Sequence, residues 1–159
     1  MTRIVNPSSE LYVDGRFYFE EAEKQTNQFL KWRYLRASLL TSYYALEATI
    51  NVYKNIDESN REKLDEKWKD QFDCNQPIEN KHWNIFKEIK KVREAIAHFN
   101  MKKEEKSVLM YLKLDIEISK YLETVRYMML KIFEESTINE WEKNTTPLDL
   151  QENIKKSVQ

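Results

Sequence analysis

The stretch Leu35-Arg36-Ala37-Ser38-Leu39-Leu40-Thr41-Ser42-Tyr43-Tyr44-Ala45-Leu46-Glu47-Ala48-Thr49-Ile50-Asn51-Val52-Tyr53 decides the fold. Leu35, Leu39, Tyr43, Leu46, Ile50 and Tyr53 recur at steps of three and four. That spacing draws one apolar stripe along a helix and cannot line one face of a strand. From Phe17 to about Asn55 the chain contains neither Gly nor Pro. A single helix of that extent would be over about 50 Å long at about 1.5 Å per residue, so a break is expected near Gln25–Gln28, where the pattern turns polar.

Working outward, Asp57-Glu58-Ser59-Asn60 reads as a turn and cap before a short charged helix over about Ser59–Phe72, anchored by Leu64, Trp68 and Phe72. Asp73-Cys74-Asn75-Gln76-Pro77 breaks it. A third helix is expected from Ile78 or Asn80 to Phe99, with Ile85, Ile89, Val92, Ile96 and Phe99 on one stripe. A fourth, over about Glu104–Ser136, carries Leu114, Ile118, Tyr121, Val125, Met128 and Ile132 as its seam, with Leu112, Ile116 and Met129 widening it. Asn6-Pro7-Ser8-Ser9 and Asp14-Gly15 are turn signals, so residues 1–15 read as an irregular leader. Residues 137–159, interrupted by Asn144-Thr145-Thr146-Pro147, read as a tail or docking arm. The expected architecture is all-α: an antiparallel bundle of about four helices forming one domain over 1–159, with its core at about 17–136.

Composition narrows the chemistry. One glycine in 159 residues excludes the glycine-rich loops of dinucleotide and P-loop sites and the paired glycines of a nucleophile elbow. With three prolines as well, turn signals are too few for a sandwich or barrel. One cysteine, Cys74, and two histidines, His82 and His98, supply no Cys/His zinc cluster, and no metal or other cofactor is expected. No run approaches a membrane span and no secretory pattern opens the chain, so a soluble, cytoplasmic protein without membrane partners is expected. The nine Tyr, seven Phe and four Trp are generous for one bundle core. Either they fill a wide core or some of them sit at an interface.

Charge is balanced overall, 26 Lys plus Arg against 27 Asp plus Glu, yet segregated. Residues 56–80 hold eight acids and four bases, and residues 81–106 hold eight bases and four acids. Two readings follow: charge matching within or between subunits, or a phosphate-binding patch on the third helix. Within that helix lies Lys90-Lys91-Val92-Arg93-Glu94-Ala95-Ile96-Ala97-His98-Phe99-Asn100. On a helical wheel Arg93 sits at the shoulder of the apolar stripe and His98 nearly opposite its centre. Histidine titrates near neutrality and serves as acid or base, whereas Arg stays charged and grips phosphate oxygens as a fork. The structural alternative is a boundary arginine paired with a carboxylate and a solvent-facing or dimer-packing histidine. His82, with no Arg at a suitable spacing before it, reads as structural, and Cys74 has no sequence neighbour marking it as a nucleophile.

The segment Arg93-Glu94-Ala95-Ile96-Ala97-His98, late on the third helix of a small bundle, resembles the signature of the HEPN superfamily (higher eukaryotes and prokaryotes nucleotide-binding domains), an Arg followed after four to six residues by His. Ser42-Tyr43-Tyr44-Ala45-Leu46-Glu47-Ala48-Thr49-Ile50-Asn51 resembles the first core helix of many members. The resemblance covers roughly residues 30–135 in helix order and length. It implies an all-helical fold, a homodimer that brings two such motifs together and, in many members, metal-independent RNA cleavage; other members are non-catalytic. Carried onto this chain, it implies an endoribonuclease of toxin or antiviral-defence type, catalytic roles for Arg93 and His98, and a neutralising antitoxin protein as a possible partner. Glu94 stands where active members often have Asn or another small polar residue. Four residues before His98, it is placed to orient the imidazole and favour its charged form. Lys90, Lys91, Lys102 and Lys103 would flank the groove and bind RNA phosphates. The alternative is a non-catalytic HEPN-like module that binds nucleotide, RNA or a protein partner.

Overall fold

The computed structural model describes residues 7–54, 63–72, 77–97 and 104–143, and all its regular structure is helical. Six helices follow in order: α1 (Pro7–Glu23), α2 (Gln28–Tyr53), α3 (Leu64–Phe72), α4 (Asn80–Ala97), α5 (Glu104–Met129) and α6 (Glu135–Glu142). The expected break before the second core helix falls at residues 24–27, where the side chain of Asn27 caps α2 by accepting a hydrogen bond from the Leu30 amide at 3.1 Å.

Side-chain pairings fix the directions. Tyr18 stacks against Tyr34, and Ser38 donates to the Gly15 carbonyl at 2.6 Å, so α1 and α2 run antiparallel. Glu79 meets Tyr127, His82 meets Thr124 and Glu88 meets Tyr121, so α4 and α5 are also antiparallel. Gln28 reaches Asp115 near the start of α2, and Thr49 reaches Met129 near its end, so α2 and α5 run in the same direction. The stripe Leu35, Leu39, Tyr43, Leu46 and Ile50 is buried as its spacing requires, but its last expected member, Tyr53 at the end of α2, is exposed and only stacks on Phe72; the α5 seam Leu114, Ile118, Tyr121, Val125 and Met128 is buried. Trp68 and Phe72 of α3 close one side of the core. Among the described residues no helix is long and apolar enough to cross a membrane.

Four expectations are corrected. Residues 7–15 are not an irregular leader but the first half of α1: Pro7 takes the first helical position, where its missing N–H costs nothing, and Gly15 lies mid-helix. The fourth long helix does not reach Ser136. It ends at Met129 in a tight turn closed by bonds from Ile132 and Phe133 to the Met129 carbonyl, and the chain folds back as α6. Residues 137–143, read as part of a tail, therefore belong to the bundle: Ile138 is fully buried, and Trp141 packs edge-on against Phe133. Lastly, Leu112 and Ile116 do not widen the core. Ile116 is 79% exposed and lies with Leu109 and Leu112 on the outer face of α5.

The return of α6 is held by a polar clip. Tyr12 donates to Glu142 at 2.7 Å, Arg126 Nε donates to the same oxygen at 2.8 Å, and Arg16 stands 3.8 Å from it. Burial works to raise the Glu142 carboxyl, but the Tyr12 and Arg126 bonds and the two arginine charges outweigh it and hold Glu142 below the usual carboxylate range.

Candidate functional site

Ile85, Ile89 and Val92 bury one face of α4 against α2 and α5, and Phe86 adds a fourth anchor. With that face fixed, Arg93 lies at its edge, partly buried, and turns toward α2. Its guanidinium carbon lies 5.1 Å from the centre of the Tyr43 ring, within range of a cation–π contact. Arg93 Nε is buried and has no hydrogen-bond partner, and among the described residues no carboxylate lies within ion-pairing distance of this side chain. The carboxylate-paired boundary arginine offered by the sequence is therefore not what these residues form.

Tyr43 is a core residue on that side of α2. Burial raises its phenol above the ordinary value; the Arg93 charge opposes this, while Glu47, Glu94 and Asp65 reinforce it. Three carboxylates thus share the neighbourhood of the one arginine. Glu94 itself is exposed, at the outer face of α4.

Lys90, one turn earlier, reaches α3 and donates to Asp65 at 2.9 Å. Burial works to raise the Asp65 carboxyl, but the bond and charge of Lys90 prevail and lower it. This pair joins the acidic segment to the basic one, so part of the charge segregation is matched within the chain. Lys91 is exposed. His98, Lys102 and Lys103, and the expected stripe member Phe99, lie outside the described residues.

His82 is structural, as its sequence context suggested. It is buried, its Nδ1 lies 2.9 Å from Thr124 Oγ1, and its ring stacks on Tyr127 with centres 3.8 Å apart. A cavity of about 300 Å³ opens between α3 and the start of α4, lined by Lys69, Phe72, Pro77, Ile78, Asn80 and Trp83. It sits about ten residues along α4 from Arg93, and none of the expected site residues lines it. Among the described residues no group of three or more His, Cys, Asp or Glu is placed to hold a metal ion.

Sequence reasoning missed the part played by Tyr43, which its position on the α2 stripe marked only as core, and by Asp65, which was one of eight acids in a charged segment. The helical phase of Arg93, at the shoulder of its stripe, was the signal that could have pointed across to α2. Comparison of the chain with family models, with curated proteins and with solved structures finds no match in any of the three.

Proposed function

We propose that the protein is a homodimeric, metal-independent endoribonuclease of the toxin or antiviral-defence kind, acting in the cytoplasm. Its composite site would take Arg93 and His98 from two subunits. The observation that carries this reading is Arg93 itself: a guanidinium held against an aromatic ring, with a buried Nε and no ion pair to a described carboxylate. Structural arginines at the edge of a core are ordinarily paired, because an unmatched charge is costly to desolvate. An arginine held in place with no ion pair among the described residues suits a ligand that brings negative charge.

The chemistry follows from the residue types. A base removes the proton from a ribose 2′-OH, the oxygen attacks the adjacent phosphorus, and an acid protonates the departing 5′-oxygen. The upstream product ends in a 2′,3′-cyclic phosphate and the downstream product in a 5′-hydroxyl. Histidine takes either proton role, and Arg stabilises the charge that builds on the phosphorane. One His and one Arg fall short of a full set, and a dyad supplies two of each. Glu94 would orient His98, Lys91, Lys102 and Lys103 would hold backbone phosphates, and Lys90 would join them on release from Asp65. If the enzyme is of the toxin kind, a neutralising antitoxin protein would be its partner.

A second reading is a non-catalytic helical module that binds nucleotide, RNA or a protein. The carboxylates of Glu47, Glu94 and Asp65 around Tyr43 favour it, because they weaken the local attraction for a polyanion. Incubation of purified protein with single-stranded RNA, with and without EDTA, separates the two. Cleavage in both conditions, lost in Arg93→Ala and in His98→Ala, is the expected result. Intact RNA bound by the parent and by His98→Ala alike would favour the module. A monomer by light scattering would remove the second copy that the composite site needs.

A further inference from the structure

The contact between Arg93 and Tyr43 also fixes which edge of the guanidinium faces a ligand. A guanidinium can grip an oxyanion side-on, through Nε and one terminal nitrogen, or end-on, through its two terminal nitrogens. Here Nε is sealed in the interior without a partner, whereas neither terminal nitrogen is buried and unpartnered. The Tyr43 ring backs the guanidinium carbon at 5.1 Å, and the ring is itself fixed, being only 6% exposed on the fully packed face of α2. Side-on access is closed and the end-on edge remains.

We infer that Tyr43 is the positioning residue of this site: its ring holds Arg93 with Nε turned inward, so that the arginine takes an oxyanion end-on through its terminal nitrogens. The contribution comes from the π face of the ring rather than from the hydroxyl, since the cation lies over the ring. Phenylalanine therefore substitutes for tyrosine, and an aliphatic side chain does not. This inference deepens the ribonuclease reading, on which the identity of the oxyanion as an RNA phosphate rests. The held arginine is a property of the folded chain and can be tested separately.

The experiment has two arms. In the first, nitrogen-15 spectra of the folded parent locate the Arg93 Nε–H signal by its disappearance in Arg93→Lys. The inference expects that signal shifted upfield by the ring, protected from solvent exchange, retained in Tyr43→Phe and returned to the ordinary arginine position in Tyr43→Leu. Added inorganic phosphate should perturb the terminal N–H signals and leave Nε–H in place. An ordinary, rapidly exchanging Nε–H in the parent, or a phosphate response centred on Nε, overturns the inference whether or not the protein cleaves RNA. In the second arm, Tyr43→Phe should cleave within about twofold of the parent, with the same pH profile. Tyr43→Leu, checked for folding by its helical signal, should lose kcat by about 10²-fold or more, the scale of losing one oriented charge-stabilising donor. Full activity in Tyr43→Leu overturns the positioning role while leaving the ribonuclease reading intact. Absence of cleavage by the parent defeats the ribonuclease reading, and the spectra still decide the inference.

Discussion

Gly15 lies in van der Waals contact with Ser42 across the α1–α2 interface, so closely that a Cβ on Gly15 would overlap the Ser42 hydroxyl and press on the Ser42 Cβ and backbone nitrogen, each at 3.3 Å. The same glycine offers its carbonyl to Ser38. The one glycine of the chain therefore serves neither a turn nor a ligand cradle. It lets two helices approach until their backbones are separated by serine side chains.

Gly15→Ala should accordingly destabilise the protein. Replacing a mid-helix Gly by Ala gains up to about 1 kcal/mol in helix propensity. Overpacking in a filled interior costs about 1–3 kcal/mol, and here it prevails. Urea unfolding of Gly15→Ala, Ser42→Ala and the double variant measures the coupling. The double variant should recover part of the loss, because removing the hydroxyl relieves the worst overlap.

The α6 clip gives acid sensitivity of a definite sign. Glu142 is depressed in the folded state, so the stability it contributes is present above the unfolded carboxylate value of about 4.3 and is lost as pH falls through the lower, folded value. Glu142→Gln should be less stable than the parent at pH 6, and the gap should close toward pH 3. A constant gap across that range, read from urea midpoints, would remove the ionised clip as the cause.

His82 and His98 should separate cleanly by mutation. Thr124→Val leaves the buried His82 Nδ1 without its partner and should cost about 1–3 kcal/mol of stability. At temperatures where the variant is folded, its RNA cleavage should match the parent. His98→Ala should show the reverse pattern.

Release of Lys90 should be visible in RNA binding. Asp65→Asn removes the ion pair that holds the ammonium on α3, and RNA should then bind more tightly at fixed salt. The salt dependence should steepen by about one unit of slope, the increment for one added phosphate contact. An unchanged slope would place Lys90 outside the RNA surface.

The architecture was legible in the sequence wherever periodicity was strong. The α2 stripe through Ile50, the α4 stripe through Val92 and the α5 seam through Met128 are buried as their three-and-four spacing demands. It was illegible where local signals mislead. Pro7 and Gly15 read as turn residues, yet one opens α1 and the other permits its close approach to α2. The chain reverses after Met129 with neither Gly nor Pro to mark it, and what holds α6 in place is the long-range clip on Glu142. Of the candidate site, spacing and helical phase singled out Arg93. Its tie to Tyr43 and that of Lys90 to Asp65 are tertiary facts that no local pattern encodes.

The central claim, RNA cleavage by helix-borne side chains without metal, is tested most directly by the ends of the RNA fragments produced in EDTA. The account predicts a 2′,3′-cyclic phosphate on the upstream fragment and a 5′-hydroxyl on the downstream one, with the rate reduced by about 10²-fold or more in both Arg93→Ala and His98→Ala. Intact RNA, fragments with 5′-phosphate ends, or undiminished cleavage by either variant would contradict it.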